Sequence, residues 1–206
     1  MSPVMVVVVV AVLIMSVILH ELSHGVVAAR LGDPTARLAG RLSLNPLKHL
    51  DPVGSVLLPA MLVLSGVPFI FGWAKPVPYD PRYFRSPRQG AALVGAAGPA
   101  MNLGIATAVG LALRAGLLNE AGPLLINVIV YVVHINLVLA VFNLIPIPPL
   151  DGSKLLYPLL PLPVLRAYLS AERFGIIIVV GLVYLFGGYI LGPPVRILFR
   201  LITGAG

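Results

Sequence analysis

The sequence predicts an all-α polytopic membrane protein: a core of three transmembrane helices carrying a zinc site, plus a re-entrant or partly inserted segment and a C-terminal span. Three observations predict it. The 206 residues are 59% hydrophobic and only 10% charged, far more apolar than a soluble domain of this length needs. The apolar residues fall in runs long enough to cross a hydrocarbon layer, with most charges between them. At the end of the first run stands His20-Glu21-Leu22-Ser23-His24, an HExxH pentapeptide that pairs two histidines on one helix face.

The whole chain, 1–206, reads as one integral-membrane domain. Its first span covers about 4–29 and opens with a valine run, β-prone in water but helical in lipid, where every backbone group must be bonded internally. No basic region or cleavage site precedes the HExxH, so this span is expected to stay in the protein. A polar connection follows, with Arg30, Arg37, Arg41 and Lys48 against Asp33 and Asp51; residues 37–44 alternate like a strand. The apolar segment 53–73 is broken by Pro59, Gly66, Pro68 and Gly72 and leads to a second basic loop with Lys75, Arg82, Arg85 and Arg88. A full crossing there would put the two basic loops on opposite sides. The positive-inside rule favours a re-entrant hairpin with both loops cytoplasmic, and full crossing remains the alternative.

The second core span, about 89–113, is rich in Gly and Ala at four-residue spacing, which lets another helix pack closely. A short linker leads to the third, about 123–144, which breaks against Pro146, Pro148 and Pro149. Beyond Leu150-Asp151-Gly152 comes a proline-interrupted amphipathic stretch, then a last span, about 174–191. Pro193 and Pro194 end that span, and Arg196 and Arg200 alternate with apolar residues in a tail suited to the membrane interface.

Charge and cysteine content narrow the chemistry. The net charge of +7 lies between spans and forms no basic helix face with aromatic platforms, so nucleic acid is not the expected partner. There are no cysteines, so any zinc must be held by histidine and carboxylate. Ionisable groups in a transmembrane helix are costly, so three within five residues call for a compensating metal or a functional role. His20 and His24 can share one Zn²⁺, with Glu21 beside them to take a proton from a water. A catalytic zinc needs a third protein ligand, and the candidates are His49, His134, Asp33, Asp51, Asp80, Asp151, Glu120 and Glu172. With a hairpin at 53–73, Asp151 arrives on the same side as the HExxH; as a residue before glycine it reads equally as a turn or helix cap.

His20-Glu21-Leu22-Ser23-His24, Gly98-Pro99-Ala100-Met101-Asn102 and the run from Asn143 through Pro146, Pro148 and Pro149 to Asp151-Gly152 resemble, in order and membrane placement, the motifs of the site-2 protease family of intramembrane zinc metalloproteases. The Gly72-Trp73-Ala74-Lys75-Pro76-Val77-Pro78 connection looks like that of compact prokaryotic members without a PDZ domain. The resemblance implies one zinc per chain, held by His20, His24 and Asp151, with Glu21 as general base. It further implies that Asn143 holds the substrate carbonyl or oxyanion, although its amide could equally cap the broken helix. Gly98, Pro99 and Asn102 look like packing and positioning residues.

The expected function is an intramembrane endopeptidase of the prokaryotic plasma membrane, acting on single-span membrane proteins from the cytoplasmic side. Local unwinding would expose the scissile bond, with segment 37–44 or the hairpin holding the substrate by strand addition. A membrane metal-binding or metal-transport protein and an inactive scaffold are the alternatives. Transport would need polar stations across the membrane, and a scaffold would have lost Glu21 or a ligand.

Overall fold

The computed structural model describes residues 2–57, 60, 61, 64, 65, 74–118, 120 and 122–205. Helix α1 (Pro3–Arg30) starts with Pro3 in its first turn and the Ser2 hydroxyl accepting from the Met5 N–H. After the short α2 (Thr35–Leu38) come α3 (Pro87–Arg114) and α4 (Pro123–Asn143), both also opening on proline. The chain then forms α5 (Gly152–Leu155), α6 (Leu162–Ser170), α7 (Gly175–Ile190) and α8 (Gly192–Thr203). Four helical stretches are long and apolar enough to cross a membrane: α1, α3, α4, and Leu162–Ile190, in which a 3-10 turn joins α6 to α7. Exposed Val7, Ile177 and Leu185 on these stretches suit contact with lipid. The fold is therefore that of an all-helical polytopic membrane protein, with no strand among the described residues.

Helix α3 is central, packing against α1, α4, α5 and α8. Its small residues determine how closely each approaches. A Cβ on Gly110 would lie 2.4 Å from Ile202 of α8, and one on Gly95 would lie 2.8 Å from Lys154 of α5. Ala106, Val133, Leu137, Val195 and Ile202 make a buried cluster joining α3, α4 and α8. The apolar face of the arginine-bearing tail is thus covered by protein, while Arg196 and Arg200 point outward.

The strand-like reading of 37–44 is not what forms. Asp33 accepts from the Thr35 N–H at 2.9 Å, a local bond that starts a helical turn instead of a strand. The turn closes at Gly40, whose φ is +63°, with the Arg41 N–H bonded back to the Ala36 carbonyl. A period-two alternation cannot pass through that left-handed residue. Asp33 is fully buried and also accepts from the Asp80 N–H at 2.7 Å, tying the chain after α1 to the approach to α3. Of segment 53–73, a π-helical turn Pro52–Leu57 is seen, held by Asp51 accepting from Val53 and Gly54. Residues 58, 59, 62, 63 and 66–73 lie outside the described residues, and with them the choice between hairpin and full crossing.

After α4 the chain folds back beneath the helix it has just left. A Cβ on Gly152 would sit 2.2 Å from the Leu144 carbonyl oxygen, so this return passes only at glycine. Gly152→Ala is expected to displace the Asp151 segment and lower stability by about 1–3 kcal/mol, the usual scale of overpacking. Denaturation in detergent micelles measures the loss; parental stability would mean that the return does not depend on this close approach.

Candidate metal centre

His20 and His24, four residues apart on α1, are both buried and face α3. Their Nε2 atoms each lie 3.0 Å from one oxygen, Oδ2 of Asp151. Behind the rings, His20 Nδ1–H donates to Asn102 Oδ1 and His24 Nδ1–H to the Val94 carbonyl, both at 2.6 Å. These bonds place the Nδ1 protons and leave the Nε2 lone pairs aimed at the carboxylate oxygen.

Three electron-rich atoms converging this closely require positive charge between them. Two imidazolium ions would supply it only by burying two more cations beside Lys154, which is unfavourable at such depth. A divalent cation supplies it while both imidazoles stay neutral. The 3.0 Å spacings approach the roughly 3.3 Å ligand-to-ligand distance that Zn–N and Zn–O bonds of about 2.0–2.1 Å imply for a tetrahedron. Gly98 makes room on the α3 side: a Cβ there would fall 2.5 Å from Nε2 of both histidines. The donor set fits zinc.

Two carboxylates compete for the third position. Glu21 offers an oxygen within 4.8 Å of both histidines, but its Oε2 accepts from the Val77 N–H at 2.9 Å. Asp151 touches both rings, and its side chain caps no helix. Its other oxygen, Oδ1, accepts from Lys154 Nζ at 2.8 Å, and that ammonium lies 5.6 Å from the centre of the Tyr79 ring. Burial alone would raise the Asp151 carboxyl, but its histidine and lysine partners hold it well below the usual carboxylate range. Burial would likewise lower Lys154, but the Asp151 carboxylate outweighs it and keeps the ammonium charged.

The model of "Peptidase family M50" matches residues 111–188, a stretch that contains Asp151. The Bacillus subtilis (strain 168) protein "Putative zinc metalloprotease YwhC" is 40% identical over 190 residues, covering 88% of this chain and 82% of that protein. The chain belongs to peptidase family M50, the site-2 protease family. "Putative zinc metalloprotease Rip2" of Mycolicibacterium smegmatis is 35% identical over 168 residues, 81% of this chain and 62% of that protein. The protein of the same name from Mycobacterium tuberculosis H37Rv is 31% identical over 164 residues, 80% of this chain and 61% of that protein. No solved structure matches significantly. Zinc is thus the metal of this M50 chain's relatives as well as the one its donor set fits.

Around the centre, the M50 chain carries polar support that only the fold assembles. Asn102 Nδ2 donates to Asn136 Oδ1 at 2.8 Å, and Asn136 Nδ2 donates to Ser16 Oγ at 2.9 Å and to the Val132 carbonyl. Sequence reasoning found Asn102 but missed Asn136, Ser16, Lys154 and Val77. Positions 16, 102 and 136 have no periodic relation, so their one available signal was a polar side chain within an apolar span. Asn143 stands apart: its amide donates to the Leu139 carbonyl at 3.0 Å, with no hydrogen bond to the histidine–aspartate cluster among the described residues. The remaining ligand candidates lie elsewhere. Asp33 and Asp51 cap local turns, Asp80 binds Arg82, His49 bonds the Ser43 carbonyl, and His134 packs edge-on against Phe199. Glu120 and Glu172 are not part of the cluster.

Gly98→Ala is expected to abolish zinc retention, because its Cβ would occupy the space of the two Nε2 atoms. Asn102→Ala should weaken zinc binding by about 10- to 100-fold, the usual effect of losing a histidine's outer partner. Metal analysis after competition with a chelator checks both, and parental affinity in either variant would contradict the assigned geometry.

Proposed function

We propose that this M50 peptidase is an intramembrane zinc endopeptidase that hydrolyses peptide bonds in or near the transmembrane segments of single-span membrane proteins, in regulated intramembrane proteolysis. It would do so in the prokaryotic plasma membrane with its active site towards the cytoplasm, the side the basic loops favour. The observation that carries the reading is the meeting of both HExxH imidazoles with Asp151 inside a bundle of apolar helices, with Glu21 alongside.

In this reading His20, His24 and Asp151 hold one zinc per chain. When bound, the metal supplies Lewis acidity that activates a water and polarises the scissile carbonyl. Glu21 accepts the proton of the attacking water and delivers it to the leaving nitrogen as the C–N bond breaks, so no covalent enzyme intermediate is needed. Asn102 and the Val94 carbonyl keep the imidazoles turned to the metal. Asn143 would donate its amide to the substrate oxyanion after leaving the Leu139 carbonyl. The polar residues leading inward from His20 satisfy one another and include no further ionisable group, which suits support of the histidine better than an ion path.

Cleavage of a panel of single-span membrane proteins by purified protein tests the proposal. Glu21→Gln should keep zinc and lose cleavage by at least about 100-fold, the lower range for general acid–base catalysis. Asp151→Asn should lose zinc as well as cleavage. A zinc chelator should stop the parent, and added Zn²⁺ should restore it. Equal cleavage by the parent and Glu21→Gln would sink the mechanism; full zinc occupancy in Asp151→Asn would remove Asp151 from the ligand set.

A further inference from the structure

We propose that Arg41 is a positioning residue for Glu21, acting through a strap formed by residues 75–78. The proposal rests on the reading of Glu21 as the base and adds the device that holds its carboxylate.

Arg41 is buried, 8% exposed, and no carboxylate pairs with it among the described residues. Its Nη2 donates instead to the backbone carbonyls of Lys75 and Pro76, the latter at 3.2 Å. The Lys75 N–H donates to the His49 carbonyl at 2.9 Å, and buried His49 is itself bonded to the Ser43 carbonyl. One side of the strap is therefore anchored to the polar connection after α1. The other side meets α1 itself. Val77 is buried against Gly25, immediately after the HExxH, where a Cβ would come within 2.8 Å of Val77 Cγ1.

The sequence of the strap leaves it little freedom. Pro76 and Pro78 have fixed φ, and a residue that precedes proline, as Val77 does, is biased to extended backbone. Neither proline has an N–H, so Val77 carries the one backbone donor between Lys75 and Tyr79. That donor goes to Glu21 Oε2 at 2.9 Å. Glutamate is otherwise a flexible side chain, and this bond fixes one carboxylate oxygen while leaving Oε1 to receive the proton of the water. It also shows that the strap, as it lies, has no free N–H to offer an added substrate strand at 76–78.

The test uses the full chain in lipid nanodiscs and compares Arg41→Gln, Arg41→Lys, Glu21→Gln and Glu21→Ala with the parent. Arg41→Gln should lower kcat by about 10- to 100-fold, the scale of misplacing a reacting group, with KM and zinc content unchanged. Arg41→Lys should recover part of the loss, since it can still donate to one carbonyl. Hydrogen exchange provides a readout independent of any substrate. In a peptide running from 75 to 79, Lys75 is the free N-terminus and Pro76 and Pro78 have no amide, so exchange reports on Val77 and Tyr79 and the Val77 amide can be followed. It should exchange slowly in the parent and faster in both Arg41→Gln and Glu21→Ala. Parental kcat and parental exchange in Arg41→Gln, beside an inactive Glu21→Gln, would overturn the proposal alone. A fall in kcat accompanied by zinc loss would also overturn it, reducing Arg41 to a structural role. Parental cleavage by Glu21→Gln would overturn the base assignment and this proposal with it.

Discussion

Two imidazole lone pairs and one carboxylate oxygen meet against the backbone of Gly98, and most of the remaining structure serves that meeting. The three groups would repel one another without a cation, so the surrounding chain must hold them together firmly enough for the metal to find the site formed. It does this by close approach. Gly98 lets α1 lay its histidines on α3, Gly95 lets α5 lie along the same helix, and Gly152 lets the chain return beneath α4. At Gly98 and Gly95 a β-carbon would meet the histidines or the backbone of Asp151, and at Gly152 it would meet the Leu144 carbonyl.

Burying these groups in an apolar bundle demands that every polar atom near them be paired. Asn102 accepts from His20 and donates to Asn136, which in turn bonds Ser16 and the backbone of its own helix. Three helices are thereby locked in register by the same atoms that orient His20. On the other side, the lysine one turn beyond Asp151 takes its second oxygen, so that Oδ2 is the one presented to the histidines. Stability and orientation share one network here, and polar substitutions within it are expected to affect both.

The connections carry as much of the site as the spans do. Fully buried Asp33 ties the exit of α1 to the approach to α3, and Arg41 holds the strap that reaches Glu21. Glu21 is thus held by a strap, and the two histidines by contacts between helices. The M50 relatives share enough of this chain for the same arrangement to be sought in them.

How much was legible in the residues depended on how local each signal was. The apolar spans and the HExxH pair are set by nearest neighbours along a helix, where lipid permits only internally bonded backbone and a four-residue spacing always returns to one face. By itself the sequence therefore determined an all-helical membrane protein, the two histidines and the glutamate beside them. The alternation at 37–44 misled because a side-chain bond from Asp33 and a left-handed Gly40 outweigh a period-two pattern with no sheet to join. Asp151 was chemically indistinguishable from a turn aspartate until the return at Gly152 carried it to the histidines, 131 positions from His20. Lys154, Asn136, Ser16 and the Val77 amide had no periodic signal at all. Only the tertiary structure could decide these, because their roles consist of contacts between segments that the chain itself keeps far apart.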